Sequence, residues 1–156
     1  MSADGTPLRA LAVRLNPGDD LRQGLFAFAR AAGVRAGAVV TCVGSLTAAR
    51  LRLAGRSEPT ELAGPFEIVS LVGTLDPAGG HLHVCLADRD GKTVGGHLLD
   101  GCPVFTTAEV VIAELTGLAF GREPDPVTGY RELVVRPRCA AGGPDRTAAK
   151  PSSGVG

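Results

Sequence analysis

The stretch GHLHVCLADRDGKTVGGHL, residues 80–98, predicts a β-hairpin on which the fold class depends. Polar and apolar side chains alternate over its first half, which is typical of a strand with one face in the core. Residues 89–91 favour a three-residue loop with Gly91 in the left-handed conformation. That loop sets His83 directly opposite His97, whereas a two-residue loop would put the two rings on different faces.

All three histidines of the chain, His81, His83 and His97, lie in this stretch. With the three-residue loop, their Cβ atoms are about 5 and 7 Å apart, close enough to share one zinc ion with Zn–N bonds of about 2.0–2.1 Å. Three imidazoles leave a fourth position open, as in catalytic zinc sites, so we predict an open three-histidine site. The competing interpretation is three unrelated histidines in the core or at an interface. Cys85 shares the predicted face and is a further candidate ligand.

The sequence on either side of the hairpin predicts one helix and more strands. NPGDD, residues 16–20, is a helix start with Asn16 as the N-cap, and apolar residues recur at helical spacing from Leu21 until Gly33. A loop is predicted over 121–129, where two prolines occur. The class is therefore α+β, a largely antiparallel sheet of about seven strands with one main helix. Strands are predicted at 8–15, 38–43, 47–53, 66–74, 81–87, 92–98, 104–115 and 130–135.

Length and composition predict a single domain over residues 1–137, followed by a disordered tail rich in Gly, Pro, Ala and Ser over 138–156. No apolar run reaches the roughly 18 residues of a membrane span, and the N-terminus shows no signal peptide, so we expect a cytoplasmic protein. Equal numbers of basic and acidic residues, 16 of each, disfavour nucleic-acid binding. The four cysteines, 42, 85, 102 and 139, form no CxxC pair and are predicted to be reduced thiols.

Two glutamates interrupt apolar strands and need a reason to be there. Glu67 and Glu109 would each cost several kcal/mol if buried, ionised and unpaired. One interpretation makes them catalytic, as a general base or as the partner that orients a histidine. The other interpretation pairs them with nearby arginines, of which Arg50 and Arg52 are two. These two arginines are themselves interpreted as a solvated strand face in preference to a binding site for an anion. Arg131 is the third candidate partner for the two glutamates.

Several motifs in succession resemble the PPC ("plants and prokaryotes conserved") domain family. With the helix entry RLNPG at 14–18, the resemblance covers residues 8–135. It implies a compact α+β subunit that assembles as a homotrimer. The motifs are FEIVSL at 66–71, GHLH at 80–83, DG at 90–91, GGHL at 95–98 and TTAEV at 106–110.

The family resemblance leaves two functional classes open. Plant members carry AT-hooks and bind DNA in the nucleus, but this sequence has no Arg-Gly-Arg-Pro core and only two lysines, Lys92 and Lys150. The fold also resembles acetolactate decarboxylase and a related zinc-dependent ester hydrolase, which hold zinc with His-x-His and a third histidine downstream. That likeness implies a zinc-dependent lyase or hydrolase acting on a small carbonyl or ester compound. The alternative is a non-enzymatic DNA-binding or regulatory module.

Overall fold

The computed structural model describes residues 5–138, which form one helix and eight strands. The predicted α+β class with a mostly antiparallel sheet is confirmed. The predicted tail, with Cys139, lies outside the described residues except for Arg138, whose backbone N–H donates to the Gly117 carbonyl. Within 5–138 no helix has the length and apolar character to cross a membrane. The elements are β1 (Leu8–Leu15), α1 (Leu21–Ala31), β2 (Gly37–Arg52), β3 (Thr60–Asp76), β4 (Gly79–Ala87), β5 (Thr93–Leu98), β6 (Val104–Leu115), β7 (Leu118–Pro124) and β8 (Arg131–Pro137).

The main sheet has six strands in the order β1-β6-β2-β3-β4-β5, all paired antiparallel. The end of β2 also pairs with β5, through Leu51 opposite Leu98 and Arg52 opposite His97. Strands β2 to β5 therefore close on themselves as a small barrel. β7 and β8 form a separate two-stranded ribbon, which lies against the outside of this barrel at β3.

The helix begins later than the sequence predicts, and the prediction of Asn16 as the N-cap was wrong. Asp20 is the cap, because its carboxylate accepts a hydrogen bond of 2.8 Å from the Gln23 backbone N–H. Gly18, at a φ of 87°, turns the chain out of the helical conformation between the two candidates. The Asp20 carboxylate also accepts from the backbone N–H of Cys102 at 2.8 Å, which fixes the helix start to the loop before β6.

Two predictions of where strands end needed correction, because β2 and β7 both continue further than the sequence indicates. The runs at 38–43 and 47–53 are parts of β2, which passes Gly44 and Ser45 through β-bulges instead of ending there. The loop predicted over 121–129 is wrong, since β7 continues to Pro124 and only 125–130 connect it to β8. That ribbon forms one wall of the site described below.

The core lies between α1 and the inner side of the sheet, where the largest apolar side chains, such as Leu25, Leu75 and Leu86, are fully buried. In the single chain, other large apolar side chains on β2, β3 and β6 face solvent. We call the following set the exposed apolar patch: Val40, Val43, Val69, Val72 and Phe105, which are 49–62% exposed.

Candidate metal centre

The β4–β5 hairpin has the predicted three-residue loop. Gly91 adopts a φ of 76°, and the Asp88 backbone N–H donates to the Lys92 carbonyl at 2.9 Å. The Asp88 carboxylate stabilises the turn by accepting from the Lys92 N–H at 2.9 Å. His83 consequently lies directly opposite His97, which confirms the predicted register.

The structure brings the three predicted ligands together. The Nε2 atoms of His81 and His83 are 3.0 Å apart, and one nitrogen from each of the three rings lies within 4.8 Å of the others. Two ligands of a tetrahedral zinc ion are about 3.3 Å apart when the Zn–N bonds are about 2.0–2.1 Å. One pair is therefore already near this separation, and the third nitrogen needs only a side-chain adjustment to join it.

Two glycines let β3 and β4 approach closely at His81. A Cβ on Gly73, where φ is 143°, would lie 2.0 Å from the His81 carbonyl oxygen. A Cβ on Gly80, where φ is 147°, would lie 2.1 Å from the Thr74 carbonyl oxygen. Any side chain at either position would clash with these oxygens, so the position of His81 depends on glycine on both strands.

The surroundings favour the uncharged form of two of the rings, those of His81 and His97. Burial, and then the charge of His83, lowers the pKa of His81. Burial, and then the charge of Arg52, lowers the pKa of His97 from 6.5 to about 4. Since a metal ion binds neutral imidazole, these shifts keep His81 and His97 ready to coordinate one.

A buried ring nitrogen of His97 without a hydrogen-bond partner is a further feature that suits a metal site at the histidine cluster. Nδ1 of His97 is buried and accepts or donates no hydrogen bond among residues 5–138. A buried nitrogen left unpaired costs about 1–3 kcal/mol, and coordination of a metal ion through Nδ1 would remove that cost. Three imidazoles are a donor set that suits zinc, copper, iron or nickel.

The metal-free protein is expected to lose stability as the pH falls from about 7 towards 4. The unfolded chain takes up the His97 proton near the ordinary pKa of 6.5, whereas the folded chain takes it up near 4. The unfolded state therefore binds more protons between these values, so this contribution to stability is present above 6.5 and is lost below it. Urea unfolding at pH about 7 and about 5 measures the effect. His97→Gln is expected to make the free energy of unfolding depend less on pH. An unchanged dependence would show that His97 is not the group responsible.

Three neighbouring cavities, of about 310, 520 and 920 Å³, share lining residues and border the histidines. Their walls come from the end of β2 and from the β7–β8 ribbon, which contributes Arg122, Tyr130 and Glu132. The sequence pointed to none of the three: Gly121 and Pro124 conceal the alternation of β7 around Arg122. Tyr130 and Glu132 belong to the strand predicted over 130–135, but its local pattern does not show which distant strand it meets. Arg52 on β2, for which a solvated strand face was preferred over an anion site, lines the two larger cavities.

Glu67 and Glu109 lie outside these cavities. Both are exposed in the single chain, so the expectation that they are buried within apolar strands was wrong. Glu67 pairs with Ala87 at the far end of β4, and Glu109 lies opposite Val43. Neither forms a salt bridge within residues 5–138, so the alternative ion pairs with the arginines are not found there. Their catalytic role stays a prediction.

Two other carboxylates do line the cavities. Asp76 is buried and accepts from the Arg122 guanidinium at 3.3 Å, so its charge is already paired. Glu132 is half-buried, lines two of the cavities beside His81, and has no salt bridge within the part of the chain that the structure describes. Glu132 is therefore the carboxylate available to the site.

The cysteines contribute no ligand in this arrangement. Cys42, Cys85 and Cys102 are free thiols, and Cys85 is not part of the histidine cluster. Burial raises the pKa of Cys42 and of Cys102 to about 11. These two thiols therefore stay protonated at neutral pH and act as small apolar groups in the core.

Comparison with known proteins assigns the family. Residues 2–116 match the family model of the Plants and Prokaryotes Conserved (PCC) domain, the PPC family named above. The chain belongs to this family. Among named PPC relatives, it is 49% identical over 128 residues to the bifunctional protein GlmU of Synechococcus sp. strain JA-3-3Ab, covering 82% of this chain and 21% of that protein. The chain thus spans about a fifth of that relative's length.

A plant protein and two solved structures complete the comparison of this PPC chain. AT-hook motif nuclear-localized protein 27 of Arabidopsis thaliana is 29% identical over 134 residues, covering 75% of this chain and 42% of that protein. A hypothetical protein from Salmonella superposes with a TM-score of 0.85 at 43% identity, covering 87% of this chain and 99% of that one. A metal-containing protein from Archaeoglobus fulgidus superposes with a TM-score of 0.73 at 28% identity, covering 86% and 99%.

Proposed function

We propose that this PPC protein is a zinc-binding homotrimer whose open three-histidine site acts on a small carbonyl or ester compound, as a lyase or a hydrolase. The observation that carries the proposal is the convergence of His81, His83 and His97 within 4.8 Å. The metal-containing Archaeoglobus relative, at 28% identity, supports the metal. The likeness of the histidine spacing to that of acetolactate decarboxylase supports the reaction class.

Zinc held by three neutral imidazoles polarises a carbonyl group and lowers the pKa of water to about 7. The chain's own part is to hold the ligands and to position a substrate against them. The hairpin presents His83 and His97 on opposed strands, and the 310 Å³ cavity beside His81 and His83 gives room for a small molecule.

Glu132 is the residue placed to move a proton. Its carboxylate lies close enough to His81 to oppose the lowering of that pKa, which burial dominates. Since Glu132 has no salt-bridge partner among residues 5–138, it is free to accept a proton from water or substrate in the cavity. We therefore assign it the role of general base.

Glu132→Gln is expected to lower turnover by about 10²-fold or more, the usual effect of losing a general base, without lowering zinc content. The experiment measures zinc by mass spectrometry and hydrolysis or cleavage of a panel of small esters and hydroxyketones. Glu58→Gln changes an exposed carboxylate that lines none of the three cavities and makes no salt bridge within residues 5–138, so it is the control. Equal losses in both variants would contradict the role of Glu132. Zinc without turnover on any compound would favour a metal that is purely structural.

The resemblance to the PPC family supports a trimer, and the exposed apolar patch supports assembly, because apolar side chains exposed in a single chain are typical of an interface between subunits. The DNA-binding or regulatory alternative is supported by the resemblance to plant members. With 16 basic and 16 acidic residues, the chain has no excess charge to attract a phosphate backbone.

A further inference from the structure

We propose that the substrate of this site carries an anionic group, a carboxylate or a phosphate, and that the Arg52 guanidinium binds it beside the histidines. The inference rests on the proposed function, since it names the substrate class of the same site. It follows from the position of Arg52, from the groups that surround it and from the charge of the cavity.

Arg52 projects from the same side of the barrel as the histidines. It lies directly opposite His97 in the β2–β5 register, and His97 lies directly opposite His83 in the β4–β5 register. Opposed residues on antiparallel strands point to the same face of a sheet. The row from β2 to β4 therefore places one guanidinium next to two of the proposed metal ligands, and Arg52 lines the two cavities that His97 also lines.

The guanidinium of Arg52 makes no ion pair among the described residues, whereas two of the arginines beside it do. Arg22 forms an ion pair with Asp100 at 2.5 Å, and Arg122 forms one with Asp76 at 3.3 Å. Within residues 5–138, the Arg52 side chain makes no salt bridge, and its nearest aromatic contact is the Tyr130 ring, whose centroid is 6.0 Å away. All of its N–H donors are therefore free for a ligand.

The cavity of about 520 Å³ has an excess of positive charge. Four arginines line it against two carboxylates. This local excess occurs in a chain whose net charge is zero. Such a cavity raises the local concentration of anions. The lining charges are Arg22, Arg52, Arg122, Arg131, Asp76 and Glu132.

The chemistry of the guanidinium limits which class of ligand Arg52 would bind. Its planar fork donates two parallel hydrogen bonds to a carboxylate or a phosphate, which a neutral carbonyl cannot accept in the same way. A substrate held by Arg52 and presented to the histidines carries its anionic group close to the reacting carbonyl. A small keto acid, or an acyl compound with a neighbouring phosphate, has this arrangement.

The test measures ligand binding by nuclear magnetic resonance on the zinc-loaded protein. The probes are pyruvate, its neutral analogue pyruvamide, and inorganic phosphate, each titrated into the wild type, Arg52→Gln and Arg35→Gln. Arg35 is exposed and lines none of the three cavities, so it is the matched control. We expect Arg52→Gln to weaken anion binding about tenfold or more, as for lost hydrogen bonds to a charged group, with zinc content unchanged and Arg35→Gln unaffected.

The outcomes test the role of Arg52 and the proposed zinc site separately. Equal anion affinity in the wild type and Arg52→Gln overturns the inference, as does pyruvamide that binds as tightly as pyruvate. Tighter pyruvate assigns a carboxylate to the site, and tighter phosphate assigns a phosphate group. If no variant holds zinc, the proposed function fails. The arginine is then judged on the zinc-free protein, where loss of anion binding in Arg52→Gln is still expected.

Discussion

Replacing His83 with alanine is expected to abolish zinc binding and leave the fold intact. The side chain is exposed on the outer side of β4, so its removal leaves no cavity in the core. Two remaining imidazoles make a far weaker site than three. A metal that binds only the folded state stabilises it by about 2.7 kcal/mol when present at about 100 times its Kd, and the variant should lose all of that gain. Zinc content and thermal unfolding with and without added zinc measure both effects.

Cys85→Ala is the matched control for His83→Ala, because Cys85 lies on the same strand and was a candidate ligand. It is expected to retain zinc and the zinc-dependent rise in unfolding temperature. Zinc retained by His83→Ala, or absent from the wild type after zinc is supplied, would refute the site. DNA binding that weakens with salt and survives His83→Ala would favour the regulatory alternative.

Val43→Arg is expected to convert the proposed trimer into monomers, reducing the mass in solution from three times 15.9 kDa to 15.9 kDa. Val43 is 58% exposed in the single chain and belongs to the exposed apolar patch. It lies opposite Glu109, so an arginine there can pair with that carboxylate in the isolated subunit. At a subunit interface the same arginine would have to lose its water, which costs several kcal/mol at each copy.

Light scattering coupled to size-exclusion chromatography measures the mass of each variant. Val127→Arg makes the same chemical change at a residue that is 91% exposed in the β7–β8 loop, away from the patch, and should leave the mass unchanged. A trimer that persists in Val43→Arg would place the interface elsewhere. A monomeric wild type would show that this PPC chain does not assemble through the patch.

The histidine cluster could be predicted from the sequence because everything that builds it is local. His81, His83 and His97 lie on two adjacent strands, and Gly91 alone decides whether the loop has two or three residues. A period of two along each strand and one turn type then fix which side chains meet. No long-range contact had to be known.

The wall of the site could not be predicted in the same way, because it depends on which distant segments meet. Arg52 reaches His97 only because β2 pairs with β5, and Glu132 reaches His81 only because the β7–β8 ribbon lies against the barrel. Neither contact leaves a signal in the local pattern. Asn16 failed as the cap for another reason, since Gly18 allowed the chain to turn before Asp20 could cap the helix.

The apolar pattern around Glu67 and Glu109 was misleading in an instructive way. Strands that are apolar on both faces are usually buried on both faces, yet in the single chain β3 exposes Val69 and Val72 by 56% and 55%. A sequence records burial in the assembled protein as well as in the subunit. An exposed apolar strand is therefore what a chain that assembles through this face would show.

The contact between β2 and β5 is short, with two residue pairs where the barrel closes, and Arg52 and His97 form one of them. A molecule that binds Arg52 and the histidines together therefore bridges the two sides of this closure. Such a bridge would resist the separation of β2 from β5. An interaction that forms after the folding transition state slows unfolding and leaves the rate of folding unchanged, so ligand binding here would lengthen the lifetime of the closed barrel.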